Sequence, residues 1–76
     1  MRVEMLHPDN GWRILPNASA VHHGVRVYEV TVTGVPLHII GLDIFDRATL
    51  RIDGHVSVQV LGIHRHDEVV TLMVNC

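Results

Sequence analysis

The stretch VRVYEVTVTGVPLHII, residues 25–40, decides the fold. In its first half Tyr28, Val30 and Val32 alternate with polar residues. Because successive side chains of a strand point to opposite faces, this alternation indicates a strand with one buried and one solvent-exposed face. The abundant valine strengthens this interpretation, since branching at Cβ suits pleated strands better than helices.

The glycine at position 34 suggests a hairpin within the same stretch. A two-residue or four-residue loop there would place Val32 opposite Val35 and Val30 opposite Leu37, so that every cross-strand pair is apolar. The pattern and the turn chemistry agree, and we therefore expect these two segments to pair.

Similar segments recur along the chain, separated by turn residues at short intervals and without a repeat or a linker. Such spacing is typical of an all-β meander. Seven strands are predicted: Val3–Leu6, Trp12–Leu15, Val25–Thr33, Leu37–Ile44, Thr49–Ile52, Val56–Ile63 and Val69–Val74. Only Asp43–Leu50, which begins with a residue that can cap a helix, could instead form one short helical turn.

Two glycine positions make sharper predictions. At Asp53-Gly54 a two-residue loop would set Leu50 against Ser57, an apolar residue against a polar one, so we expect a three-residue loop that sets Leu50 against Val56. Along 56–63 the apolar side chains change from even to odd positions around Gly62, which predicts a β-bulge at 60–62.

Two further segments stand out. The polar stretch 16–24, which carries His22 and His23, is predicted to be a long loop and the best candidate for a ligand-facing segment. The nearly continuous apolar run Val69–Val74 indicates burial on both faces, hence a central strand or one that a second subunit covers.

Length and composition fit one small domain spanning 1–76. A chain of 76 residues buries a limited share of its surface. Its single cysteine, Cys76, leaves no intramolecular disulfide, so a metal or self-association would have to supply extra stability. The chain shows no signal peptide and no apolar run of membrane-spanning length, which predicts a cytoplasmic protein.

Seven histidines are the one compositional oddity. His64, His66 and Asp67 lie close together, and His22 and His23 could join them to hold a divalent transition metal, although zinc sites usually show a stricter ligand spacing. Histidines in this number could also make the surface sensitive to pH, since imidazole titrates near neutrality.

Other classes of function find less support. Ser19, Ser57 and Cys76 are the only candidates for a hydrolytic nucleophile, and no oriented base is recognisable beside any of them, so we do not expect an enzyme. Six basic against eight acidic residues give a net charge of −2, and the sequence has no basic stripe that would attract nucleic acid.

One stretch resembles a known family. Thr33-Gly34-Val35-Pro36-Leu37, followed by Phe45-Asp46 and Leu50, is similar to the first motif of Sm-like RNA-binding barrels, in which a glycine, alternating apolar residues and an aspartate follow in order. The N-terminal helix and the second motif of that family are not found. The resemblance implies a small RNA-binding barrel as a third functional hypothesis.

The sequence therefore predicts an all-β antiparallel meander of five to seven strands, curled into a barrel or a two-layer sheet. We expect it to bind another protein or itself without catalysis, with a histidine-based metal or pH sensor as the alternative. Its aromatic residues would serve as interface anchors wherever they proved exposed: Trp12, Tyr28 and Phe45.

Overall fold

The fold is described from a computed structural model, over residues 1–35, 45 and 48–76. These residues form two four-stranded antiparallel sheets. The eight strands are β1 (Val3–His7), β2 (Gly11–Ile14), β3 (Ala18–Gly24), β4 (Val27–Val32), β5 (Leu50–Ile52), β6 (His55–Val56), β7 (Gln59–His66) and β8 (Val69–Asn75). The predicted all-β class is confirmed, as a two-layer arrangement rather than a closed barrel.

Both sheets have the same plan. Sheet A has the order β2-β1-β5-β6, and sheet B has the order β3-β4-β8-β7. In each sheet the central pair joins a strand from the first half of the chain to one from the second half, and a hairpin partner flanks it on either side. The connectivity of 3–32 is thus repeated in 50–75, a duplication that the sequence does not reveal.

The core lies between the sheets. Sheet A contributes Val3 and Met5 from β1, which pair with Ile52 and Leu50 of β5. Sheet B contributes the alternate residues of its two central strands, all of them buried: Val30, Val32, Val70, Leu72 and Val74. The expectation that 69–74 forms a central strand is confirmed, since β8 pairs with both β4 and β7.

Three local predictions are wrong. The stretch 16–24 is not a long loop, because Ala18–Gly24 forms the edge strand β3, whose small and polar residues carry little strand signal. The hairpin at Gly34 does not form with β4. That strand already pairs with β3 on one side and β8 on the other, so Val30 faces Ala20 and Leu72.

The third error concerns the Asp53-Gly54 turn. Its loop has two residues, with Asp53 and Gly54 at φ 49° and 86°, and Ile52 faces His55. Ser57 is the polar residue that made this register look unfavourable. It is accommodated because its Oγ accepts a hydrogen bond of 2.8 Å from the Leu50 N–H. The chain then leaves sheet A at Ser57, which divides the predicted strand 56–63 into β6 and β7.

Two other local predictions are confirmed, and two fall wholly or mostly outside the described residues. The hairpin between β1 and β2 is confirmed, as is the bulge, which falls between Val60 and Gly62. The predicted strand Leu37–Ile44 lies outside the described residues, and so does most of the stretch 43–50 expected to hold a helical turn. Within the described part of the chain, no helix has the length and apolar character to cross a membrane.

Candidate functional site

The outward face of sheet A carries an unusual set of apolar side chains. Leu6, Ile14 and Val56 are 44%, 55% and 47% exposed, although each belongs to a regular strand. They share one face because the strand register places Ile14 opposite Glu4 and Val56 opposite Arg51. Large apolar side chains gathered on one exposed face commonly mark an interaction site.

Trp12 completes this face. It pairs with Leu6 across the β1–β2 hairpin and is half-buried. The guanidinium of Arg51 lies 4.4 Å from the centroid of the indole ring, which is cation–π distance. The surface formed by Trp12, Leu6, Ile14 and Val56, together with Glu4 and Arg51, is called the Trp12 face below.

An ion pair lies in the middle of the Trp12 face. Arg51 donates from Nε to Glu4 Oε1 at 3.0 Å and from Nη2 to Glu4 Oε2 at 2.8 Å, a bidentate geometry that fixes both side chains. The hydrogen bond from Arg51 lowers the pKa of Glu4 against the opposing effect of burial. Arg2 adds a second positive charge 3.7 Å from the same carboxylate.

The strand pairing explains how this face arises. Leu6 and Ile14 point outward because Met5 and Val3 point into the core on the same sheet. Glu4 and Arg51 are 47 positions apart in the sequence and become neighbours only through the β1–β5 pairing. No local pattern could have identified this pair, and sequence reasoning missed it.

The three predicted aromatic anchors lie in different environments. Trp12 lies on the exposed face of sheet A. Phe45 is only 7% exposed and belongs to the core, so it does not meet the condition of exposure. Tyr28 is half-buried and stacks on His22, with ring centroids 4.8 Å apart.

The predicted metal ligands do not form one group. β3 and β7 are the two edges of sheet B, three strand spacings or about 14 Å apart, so His22 and His23 cannot join His64 and His66. His66 lies 3.6 Å from its neighbour Asp67. Among the described residues no three histidine, cysteine or acidic side chains converge as metal ligands.

His23, another of the predicted metal ligands, lies on the outer side of sheet B. His23 Nε2 is 3.6 Å from Glu29 Oε2, a pairing at the surface that holds the imidazole away from the rings of the inner side. His22 points to the other side, against Tyr28. The two consecutive histidines therefore serve different surroundings.

Comparison with known proteins identifies no relative. No protein family, no curated protein and no solved structure matches this chain.

Proposed function

We propose that this chain is a non-enzymatic protein-binding module whose Trp12 face pairs with a second copy of the chain. The observation that carries the proposal is the exposure of three aliphatic side chains around a tryptophan on one sheet face. Covering this face removes apolar surface from water, at about 25 cal/mol for each Å² buried. Tryptophan and arginine are also the residues most enriched at interface hot spots.

The charge pattern of the face favours a second copy as the partner. Across the sheet the order of side chains is Ile14, Glu4, Arg51, Val56, which is apolar, acidic, basic, apolar. A twofold axis that runs parallel to the strands, midway between Glu4 and Arg51, reverses this order in the second copy. Glu4 then faces Arg51 of the second copy, and Ile14 faces Val56.

This arrangement is isologous, which is the commonest symmetry of homodimers. A twofold axis along the row would instead place the Glu4–Arg51 pair against an identical pair in the same order, without complementary charges opposite each other. The pattern therefore selects one orientation of the second copy.

The size of the face sets the strength of the pairing. The four strands lie about 4.8 Å apart and contain two to five residues at ~3.4 Å each, so the face measures at most roughly 19 by 17 Å. Stable complexes bury about 800 Å² of each partner, which is more than this face supplies. We therefore expect a weak dimer that forms and dissociates with concentration.

Sedimentation velocity from about 10 μM to about 1 mM tests the proposal, because this range brackets dimers of modest affinity. The informative variant is Ile14→Glu, which places a charge at the edge of the face without touching the core. Its matched control is Val21→Glu, since Val21 is 61% exposed on the edge strand of the other sheet.

The wild-type chain and the Val21→Glu variant should show the same rise in sedimentation coefficient with concentration. Ile14→Glu should weaken the dimer at least about tenfold, which is ~1.4 kcal/mol. A wild-type chain that stays monomeric throughout the range overturns the proposal. So does a dimer that Val21→Glu disrupts and Ile14→Glu does not.

A further inference from the structure

A cleft lies where Cys76, the residue after β8, meets the short strand β6 of sheet A. It has a volume of about 580 Å³ and is lined by His22, Arg26, Tyr28, His55 and Cys76. This volume is within the range of about 300 to 1,000 Å³ that is typical of small-molecule sites. The cleft shares no residue with the Trp12 face.

Two stacked rings form one wall of the cleft. His22 and Tyr28 face each other across the β3–β4 pair, and their rings are 4.8 Å apart at an angle of 21°. The stack brings a phenol and an imidazole to the same side of the sheet. Such a wall can carry the apolar part of a ligand and donate hydrogen bonds to its polar part.

Contacts of Cys76 connect the segments that line the cleft. Cys76 donates its N–H to the Arg26 carbonyl at 2.7 Å, and its thiol contacts the His55 carbonyl oxygen at 3.7 Å. These contacts join the β3–β4 turn, the end of β8 and the strand β6. The cleft is therefore built from three segments of the chain that the fold fixes together.

The side chains of the lining are rich in donors and include no carboxylate, so the α-carboxylate of Cys76 is the one carboxylate that a lining residue carries. Arg26 supplies a guanidinium, and among the described residues no acidic side chain lies within ion-pair distance of it. Burial raises the pKa of the Cys76 thiol, so that the thiol stays neutral at physiological pH. The guanidinium of Arg26, together with the neutral donors around it, favours an anion over a metal ion.

The backbone of Arg26 is also unusual. Its φ is 61°, in the left-handed region that an arginine seldom adopts, whereas glycine or asparagine would take it readily. Arg26 lies in the two-residue turn between β3 and β4, and Asp53 and Asp67 adopt the same conformation in the two-residue turns of the other hairpins.

We propose that this cleft binds a small organic oxyanion, with the anionic group on the Arg26 guanidinium and the apolar part against the stack of His22 and Tyr28. Hydrogen bonds from His55 and from the Tyr28 hydroxyl complete the set of donors that the anion would meet.

Phenyl phosphate is a suitable probe, with phenol as the matched uncharged compound. Binding is followed by the NMR signals of the histidine rings, since His22 and His55 line the cleft and His64 does not. Arg26→Asn removes the cation and tolerates the left-handed backbone, whereas Arg26→Lys keeps the charge. Arg13→Asn removes a charge from the exposed strand β2 and serves as the control.

Phenyl phosphate should shift the ring signals of His22 and His55 with saturation below about 10 mM, an affinity appropriate to one charged contact and one stacked ring. Arg26→Asn should weaken this binding at least about tenfold, while Arg26→Lys and the control retain it. Unchanged binding by Arg26→Asn overturns the proposal. Equal shifts with phenol, or a response to Zn²⁺ without one to phenyl phosphate, also overturn it.

Discussion

Replacement of Ser57 by alanine tests how the chain passes from one sheet to the other. Ser57 is buried, and its hydroxyl accepts the N–H of Leu50 at 2.8 Å while its own N–H donates to the Leu50 carbonyl at 2.7 Å. The hydroxyl thus takes the place of a backbone carbonyl at the point where the strand pairing ends. Ser57→Ala removes this acceptor and leaves a buried N–H without a partner.

A buried donor left without an acceptor costs about 1 to 3 kcal/mol. In a chain of this size each kcal/mol shifts the Tm by about 4 to 8 °C, so we expect a loss of roughly 4 to 24 °C. Thermal unfolding followed by circular dichroism measures it, with Ser19→Ala on the exposed side of β3 as the control. Equal melting temperatures for the two variants would refute this account of the turn.

Three further outcomes follow from single side chains. The pKa of Glu4 is lowered in the folded chain from its ordinary value of 4.5. The ionised carboxylate therefore stabilises the fold fully above pH 4.5, and this stabilisation is lost as the pH falls through the lowered pKa of the folded chain. Urea unfolding should show this loss in the wild-type chain and not in Glu4→Gln. Gly54→Ala should cost about 1 to 2 kcal/mol, because φ is 86° there, whereas Gly62→Ala, with open space around it, should cost less; equal losses would contradict the two-residue turn. Trp12 is the only tryptophan, so acrylamide quenching of its fluorescence should fall as the protein concentration rises, and constant quenching would count against the Trp12 face as the interface.

The periodic signals in the sequence were sufficient for the fold class. Short apolar segments between turn residues located β1, β2, β4, β5 and β8, and the shift of parity around Gly62 located the bulge. These features depend on residues close together in the sequence, where a period of two and the conformational freedom of glycine act directly.

Pairing between distant strands could not be predicted in the same way. The hairpin at Gly34 satisfied every local rule, yet β4 uses both of its edges for β3 and β8, and the deciding partner, Leu72, is 42 positions away from Val30. The prediction for the Asp53-Gly54 turn was wrong for a different reason. A buried serine was counted as a polar mismatch, although its hydroxyl meets a backbone donor.

The candidate site was predictable only in part. Trp12 stood out because aromatic residues are scarce, but its surroundings depend on the β1–β5 register, which brings Glu4 and Arg51 together. Arg26 gave no signal in the sequence, since neither its left-handed backbone nor the cleft around it leaves a local pattern.

The most direct test of the Trp12 face is an isotope-filtered NMR experiment on a mixture of labelled and unlabelled chains. Ile14 and Val56 lie on opposite edges of sheet A, three strand spacings or about 14 Å apart, which is too far for a nuclear Overhauser effect within one chain. The proposed dimer places their methyl groups against each other across the twofold axis. We expect a filtered signal between Ile14 and Val56 that grows with concentration; its absence from a sample shown to be dimeric would contradict the interface.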